Sequence, residues 1–224
     1  MLKTTLPKPE VGGDLIRVHR AITRATEVAH KRAVAYAGAG SFGNAGVQEG
    51  YLTYARCLST LLHGHHLTED EAMFPHLRPL LPDAPYEALT AQHGIMVPIL
   101  DEIDVAVRDA ASAEPGQALS VLCGALGRMG ELWQEHVLLE EAHFGPEALG
   151  ASLTMEQRVR AGRVASNHAA RHQRPYALML PFLLYNMSLR DRTVMSQMIP
   201  AVRLLLAMWK PKWQVMIPFL LVDA

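Results

Sequence analysis

The sequence predicts an all-α protein: an antiparallel up-down four-helix bundle followed by a helical C-terminal extension. The first indication is a series of long segments in which apolar residues recur at helical spacing, separated by short breaks rich in glycine or proline. The second is that no segment shows the alternating pattern typical of β-strands. Four long helices joined by short connections are typical of an antiparallel bundle.

The first two helices are separated by a glycine-rich break at residues 38–46. The first helix is predicted over residues 14–37, with Asp14 as its N-cap, and the second over residues 47–77, ending where a run of prolines begins. The break lacks the preceding strand and the Lys-Ser/Thr pair of a phosphate-binding loop. We therefore interpret it as a flexible connection.

The third and fourth helices are predicted over residues 83–110 and 117–144, with a turn between them. The third contains Pro98, which removes one backbone donor and is expected to kink the helix. The fourth ends before a Gly-Pro pair, which is a common place for a helix to stop. Residues 1–150 are thus assigned to the bundle.

The C-terminal extension, residues 151–224, is predicted to consist of short helices because prolines interrupt it repeatedly. It contains ten Lys or Arg and three acidic residues, whereas residues 1–150 contain 11 and 19. These balances of +7 and −8 suggest that the extension meets the acidic bundle or another acidic surface. Its apolar residues favour packing on the bundle over binding at a membrane surface. A homodimer formed through the extension is a further expectation.

Several classes of protein are excluded by composition. The two cysteines, Cys57 and Cys123, are far apart in the sequence and indicate neither a disulfide framework nor a cysteine-based zinc site. No uncharged stretch reaches the roughly 18–20 residues of a membrane span. The first residues have no apolar signal core, so a cytoplasmic protein is expected. No motif indicates binding to nucleic acid.

Two segments repeat the same titratable pattern. HHLTEDEAMFP at residues 65–75 and HVLLEEAHFGP at residues 136–146 both contain His-x-x-x-Glu, with a proline six residues after the glutamate. Residues four apart share one face of a helix, so each pair presents an imidazole nitrogen and carboxylate oxygens to one point. The pairs are His65–Glu69 and His136–Glu140.

Two more histidines, His19 and His93, lie on the apolar faces of the first and third helices. The order along the chain is then His, His-x-x-x-Glu, His, His-x-x-x-Glu, one half-site for each pair of helices. Such groups are costly in a core without partners, and neutral imidazole and carboxylate are good ligands for iron, manganese or zinc. The sequence therefore predicts a buried metal centre in which two carboxylates, one from each half, bridge two metals.

Other polar residues near these motifs are not predicted to be ligands. His63, His66, Asp70 and Glu71 lie off the face shared by His65 and Glu69, and are expected either to support the ligands or to be solvated.

Further residues raise alternatives. His143 follows Glu140 in half of a ferritin-like motif that no second Glu-x-x-His completes, and Tyr86 fits a core tyrosine better than a distant ligand. His30, His168 and His172 are expected at the surface or in the extension.

The segments LIRVHRAI, HHLTEDEAMFP, LTAQHGIM and EHVLLEEAHFGP together resemble the hemerythrin-like, or HHE cation-binding, family over about residues 12–148. The resemblance implies a non-haem centre of two iron ions, joined by a bridging oxygen species and bridging carboxylates. The oxygen-carrying members place a second histidine one turn after the first on the third helix, where this chain has Val97. One metal is thus expected to have a vacant or water-filled position. The implied ligands are His19, His65, Glu69, His93, His136 and Glu140.

A small buried centre without obvious groups for an organic substrate predicts a redox protein acting on O2, H2O2 or NO, in oxidative or nitrosative stress. Whether it is an enzyme is left open; a catalytic role would be peroxide-removing or NO-consuming. One alternative is a reversible oxygen store, against which Val97 argues. Another is an iron or oxygen sensor that acts through protein interactions of the basic extension, since metal binding couples to folding.

Overall fold

The computed structural model describes residues 9–199 and 201–222, and every regular element within them is helical. The all-α fold class predicted from the sequence is therefore confirmed. The first part of the chain contains α1 (Val11–Ala39), α2 (Ala45–Thr68), a π-helical turn (Glu69–Met73), α3 (Phe74–Leu77), α4 (Tyr86–Asp109) and α5 (Gly116–Phe144). The extension contains α6 (Pro146–Ser152), α7 (Met155–His172), α8 (Tyr176–Asn186), α9 (Leu189–Met198), α10 (Val202–Trp213) and a 3₁₀ turn (Gln214–Phe219).

Helix α1 begins three residues before the predicted start, because Glu10 rather than Asp14 is its N-cap. The Glu10 carboxylate accepts a hydrogen bond from the backbone N–H of Gly13 at 2.9 Å. Asp14 lies in the first turn, where its carboxylate accepts from the backbone N–H of Glu10 at 2.9 Å. Both carboxylates thus satisfy backbone donors that a helix N-terminus leaves free.

The predicted second helix is interrupted by the π-helical turn Glu69–Met73 before it ends at Leu77. Such turns are rare in proteins and frequently mark functional sites. Here the turn carries three consecutive acidic residues, Glu69, Asp70 and Glu71. Each of them contacts a different set of neighbours, as described below.

The long helices pack side by side, with α5 along both α1 and α4, and α2 against α4 and α1. Helix α4 continues through Pro98, which is exposed to solvent. The core between the helices is apolar and includes Tyr51, Leu100 and Trp133, all buried. These contacts place the inward faces of the four helices around a common interior. The antiparallel up-down order of the bundle stays a prediction.

The extension packs on α1 and α2 through apolar side chains. Phe182 of α8 and Phe219 of the 3₁₀ turn are buried in the same core as Tyr54 of α2, with ring centroids 4.9 and 5.6 Å from that tyrosine. The backbone approaches α2 closely where Gly50 faces Val215. A Cβ atom on Gly50 would lie 2.2 Å from the Val215 carbonyl oxygen, so this position requires glycine.

Asn186, at the end of α8, is a buried polar link between the extension and the bundle. Its side-chain oxygen accepts hydrogen bonds from Tyr54, at 2.7 Å, and from Arg24, which also donates to the Phe219 carbonyl at 3.2 Å. Ion pairs also join the two parts of the chain. Arg158 of the extension pairs with Glu10, and Asp191 of the extension pairs with Arg20. Apolar burial and this hydrogen-bonded link therefore hold the extension in place together with a few ion pairs.

Within residues 9–199 and 201–222, no helix is both long and apolar enough to cross a membrane. The division of the chain into a bundle at 1–150 and an extension at 151–224 stays a prediction.

Candidate metal centre

The six side chains predicted to bind metal come together in the interior of the protein. Each of them is at most 6% exposed. Together with His66 they form two groups of possible ligands, and within each group the ligand atoms lie no more than 4.8 Å apart. The first group consists of His19, His65, Glu69 and Glu140, and the second of His66, His93 and His136.

Both carboxylates contact both groups of histidines. One oxygen of Glu69 lies 3.0 Å from Nε2 of His65, and its other oxygen lies 3.3 Å from Nε2 of His93. Oε2 of Glu140 lies 3.0 Å from Nε2 of His19 and 3.4 Å from Nε2 of His136. Each glutamate therefore lies between the two groups of histidines, within 3.4 Å of a ring nitrogen in both.

Many polar atoms of the cluster have no hydrogen-bond partner among the described residues, despite these short contacts. They include both oxygens of Glu69 and Glu140, Nε2 of His19 and His65, and both ring nitrogens of His66. A buried polar atom without a partner costs about 1–3 kcal/mol, and more when it is charged. A buried group with so many nitrogen and oxygen atoms that lack hydrogen-bond partners fits a site that binds metal cations.

The outward ring nitrogens of three histidines are fixed by other side chains. Nδ1 of His19 lies 2.9 Å from Glu141, Nδ1 of His93 lies 2.9 Å from Asp70, and Nδ1 of His136 lies 3.1 Å from the Gln92 side-chain oxygen. All three partner atoms are acceptors, so each Nδ1 carries the proton. Each Nε2 is then the ring nitrogen that faces the cluster and would bind a metal, which is the usual arrangement for metal-binding histidines.

Aromatic rings form the walls of the cluster. Trp133 contacts His19 and His65 with ring centroids 5.3 and 5.6 Å apart, and its indole N–H donates to Thr23 at 2.9 Å. On the other side, Phe74 stacks on His93 at 6.0 Å. These rings pack against the imidazoles from two sides of the cluster.

The protonation of the metal-free cluster follows from its charges. Burial lowers the pKa of His19, but nearby carboxylates, chiefly Glu140, outweigh burial and raise that pKa to about 9. Burial raises the pKa of Glu140, but His19 and His136 hold it well below its usual range. The carboxylates are thus ionised, and without a metal a proton on His19 supplies part of the balancing positive charge.

His66 belongs to the cluster, although the sequence predicted a supporting or solvated residue. It is buried, and its ring stacks on His93 with centroids 4.4 Å apart. Burial, followed by the charges of His93 and other histidines, lowers its pKa well below the usual value, so His66 is neutral. Neutral imidazole with an unshared lone pair is the form that binds metals.

The prediction missed His66 because it assumed one inward-facing stripe on α2. Adjacent helical residues differ by about 100° around the axis, and α2 contacts helices on two sides. His65 therefore faces His19 of α1, at a ring distance of 5.1 Å, while His66 faces His93 of α4. Two consecutive histidines in an apolar helix were the sequence signal for this arrangement.

Val97 lies outside the cluster, with 40% of its surface exposed. His66 offers the second group a third nitrogen, so the missing histidine at position 97 does not leave that side short of ligands. The first group, with only His19 and His65, has one nitrogen fewer. With His66 counted as a ligand, the open position would lie on the side of His19 and His65 rather than beside position 97, and its place stays a prediction.

A cavity of about 520 Å³ reaches this same side of the cluster. His65 and Glu69 line it together with Thr68, and the rest of its wall is mainly apolar and comes mostly from α1 and from α7 to α10 of the extension. Pro98, the expected kink in α4, is not part of the wall. The cavity gives small molecules a path to the side with fewer histidines.

The remaining predicted residues lie around this centre. His143 is exposed and bonds the carbonyl of Leu139 at 3.0 Å, so it plays no part in the cluster and the ferritin-like alternative is not supported. Tyr86 is buried between Phe74 and Phe144, with ring centroids 5.4 and 5.5 Å away, and is a core residue as expected. Asp70 supports His93, as described above.

Comparison with protein families agrees with this geometry. A family model described as the hemerythrin HHE cation binding domain matches residues 14–148, which is more than half of the chain. The chain belongs to the hemerythrin HHE family. Comparisons with curated proteins and with solved structures found no match. As a hemerythrin-family protein it binds a metal cation, and the clusters of histidine and glutamate are suited to hold it.

Proposed function

We propose that this hemerythrin-family protein is a non-haem di-iron protein that binds or reacts with O2, H2O2 or NO. The observation that carries the proposal is the sharing of Glu69 and Glu140 between two groups of buried histidines. This pattern suits two cations a few ångströms apart rather than a single ion. His19, His65, Glu69, His93, His136 and Glu140 are the proposed ligands, and His66 is added to them.

Iron is the metal that this proposal favours. Imidazole and carboxylate ligands also accept manganese or zinc, whereas membership of the hemerythrin family favours iron. When bound, an iron pair supplies electrons to a small oxidant, or a binding position for it. The protein's own residues orient the ligands. Glu141, Asp70 and Gln92 accept hydrogen bonds from Nδ1–H of His19, His93 and His136, in that order.

The cavity supports a small, weakly polar ligand. Its mainly apolar wall offers few groups that would bind a charged substrate, and it ends at His65 and Glu69. O2 and NO enter an apolar cavity more readily than ions do, because they lose little hydration. A role in handling oxidative or nitrosative stress agrees with these properties.

A reversible oxygen store is the second candidate, and His66 is the observation that favours it. The argument against this function was the missing nitrogen at position 97, and His66 supplies a nitrogen on the same side of the centre. The five buried histidines then divide into three on one side and two on the other.

An anaerobic-to-aerobic optical titration with metal analysis tests these functions. The proposal expects two irons per chain and a new absorption band when the reduced protein meets O2, H2O2 or NO. Turnover of peroxide or NO would favour the redox protein. A stable O2 adduct that is released under vacuum, without turnover, would favour the store. Protein purified from iron-supplemented cells that holds no iron would overturn both.

A further inference from the structure

A second group of potential metal ligands lies at the surface, where α7 of the extension meets the π-helical turn. Glu71, His168 and His172 each offer one ligand atom, and these atoms lie within 4.8 Å of one another. His168 and His172 are one helical turn apart on α7, and their rings stack with centroids 4.4 Å apart. This group is separate from the buried centre described above.

Thr68 determines which nitrogen of His168 carries the proton. The Thr68 hydroxyl donates to the Gly64 carbonyl at 2.7 Å, because that carbonyl is only able to accept. The Thr68 oxygen lies 3.1 Å from Nδ1 of His168, so it must accept from an Nδ1–H. Nε2 of the neutral imidazole is then left with a lone pair.

That lone pair faces a carboxylate. Nε2 of His168 lies 3.2 Å from Oε2 of Glu71. Two acceptor atoms at this distance repel each other unless a proton or a metal ion lies between them. A proton alone would give an ordinary surface ion pair between Glu71 and protonated His168.

His172 distinguishes a metal site from a simple ion pair. A second imidazole beside a protonated His168 adds nothing to an ion pair, whereas two histidines four residues apart on a helix are a known zinc-binding arrangement. We propose that Glu71, His168 and His172 bind a divalent transition-metal ion such as Zn²⁺, with water completing the coordination. Mg²⁺ and Ca²⁺ prefer oxygen ligands and would bind poorly.

The ion would connect α7 to the turn that carries Glu69. Helix α7 also supplies Ala165 and Ala169 to the wall of the cavity beside the buried centre. An ion that binds only when α7 is docked stabilises the docked position by mass action. The surface site would therefore hold the cavity wall in place and make access to the buried centre depend on a second metal.

Zinc binding to the full-length protein as isolated tests this inference. Native mass spectrometry would count bound zinc during a Zn²⁺ titration, while iron is counted in the same spectra. We expect the wild type to bind one zinc more than Glu71→Gln and His172→Ala. His143→Ala is the matched control, since His143 is an exposed helical histidine bonded to a backbone carbonyl. Equal zinc uptake by the wild type and both site variants would overturn the site.

Thr68→Val provides a second, milder variant. It keeps the shape of the side chain but removes the acceptor for His168, and loss of such a supporting group weakens metal binding by about 10–100-fold. Hydrogen exchange then tests the link to α7: zinc should slow exchange over residues 155–172 in the wild type and not in Glu71→Gln. Unchanged exchange in zinc-bound wild type would overturn the link. Neither readout depends on whether the buried centre holds iron.

Discussion

Oε2 of Glu69 lies 3.3 Å from Nε2 of His93, so a carboxylate of the π-helical turn reaches a histidine of α4 across the interior. The other oxygen of the same carboxylate lies 3.0 Å from His65 on α2. One side chain thus joins the two groups of histidines. Glu140 makes the equivalent connection from α5, which gives the centre its approximate twofold pattern.

Replacing either bridging carboxylate should reduce metal binding sharply. Glu69→Ala and Glu140→Ala each remove ligand atoms from both proposed metal positions, so we expect fewer than two metals per chain in each variant. Metal analysis by plasma mass spectrometry is the measurement. Glu135→Ala, an exposed glutamate on α5, is the matched control and should keep the full metal content. Two irons retained in both bridging variants would show that the assigned ligands are wrong.

His66 and position 97 should behave in opposite ways. His66→Ala removes a proposed nitrogen ligand and should lower the affinity for the metal beside His93 by at least about tenfold. Loss of a residue that only supports a metal ligand typically has an effect of that size. Val97→His should leave metal content and optical spectra unchanged, because position 97 is exposed. Competition with a chelator measures the metal affinity of both variants. A changed spectrum in Val97→His together with an unchanged His66→Ala would restore the interpretation based on position 97.

Metal removal should destabilise the protein. The emptied cluster leaves two ionised carboxylates close together in the core, where they repel each other. A ligand present at 100 times its Kd stabilises by about 2.7 kcal/mol, which is about 5–10 °C in Tm for a chain of this length. Thermal unfolding of metal-loaded and metal-free protein would measure the difference. Identical melting curves would indicate that the cluster does not bind metal when folded.

Gly50→Ala should loosen the end of the extension. The added Cβ would lie 2.2 Å from the Val215 carbonyl oxygen, so either α2 or the 3₁₀ turn must move. Such overpacking costs about 1–3 kcal/mol. Gly124→Ala is the control, because that glycine is exposed in α5 and the change should stabilise the helix by about 0.5–1 kcal/mol. Chemical unfolding would measure the stability of both variants. Hydrogen exchange over residues 202–219 would show whether the 3₁₀ turn that contains Val215 is the part that moves.

Filling the cavity should slow access to the centre without removing metal. Ala165 lies on the α7 wall, and Ala165→Phe places a ring in the space that leads to His65 and Glu69. We expect the same metal content as the wild type and a several-fold slower reaction with O2, H2O2 or NO in stopped-flow measurements. Ala151→Phe, at an exposed helical position, is the control. An unchanged rate in Ala165→Phe would mean that ligands reach the centre by another route.

The sequence by itself determined the helical fold class and predicted six of the cluster's seven residues. Helical periodicity is local, so it predicts the long helices to within a few residues of the observed ends. The His-x-x-x-Glu spacing is local too, since residues one turn apart share a face whatever surrounds the helix. His65 with Glu69, and His136 with Glu140, could therefore be paired from spacing alone.

Only the tertiary structure decided how α2 is oriented between its neighbours, and with it the place of His66. Residues 65 and 66 are adjacent in sequence, yet one faces α1 and the other faces α4. The same holds for Val97, whose exposure depends on how α4 packs. The cavity, the Asn186 link and the group of Glu71 with His168 join residues from distant parts of the chain. Sequence spacing carries no information about such contacts, because the packing of one helix against another sets the distances between them.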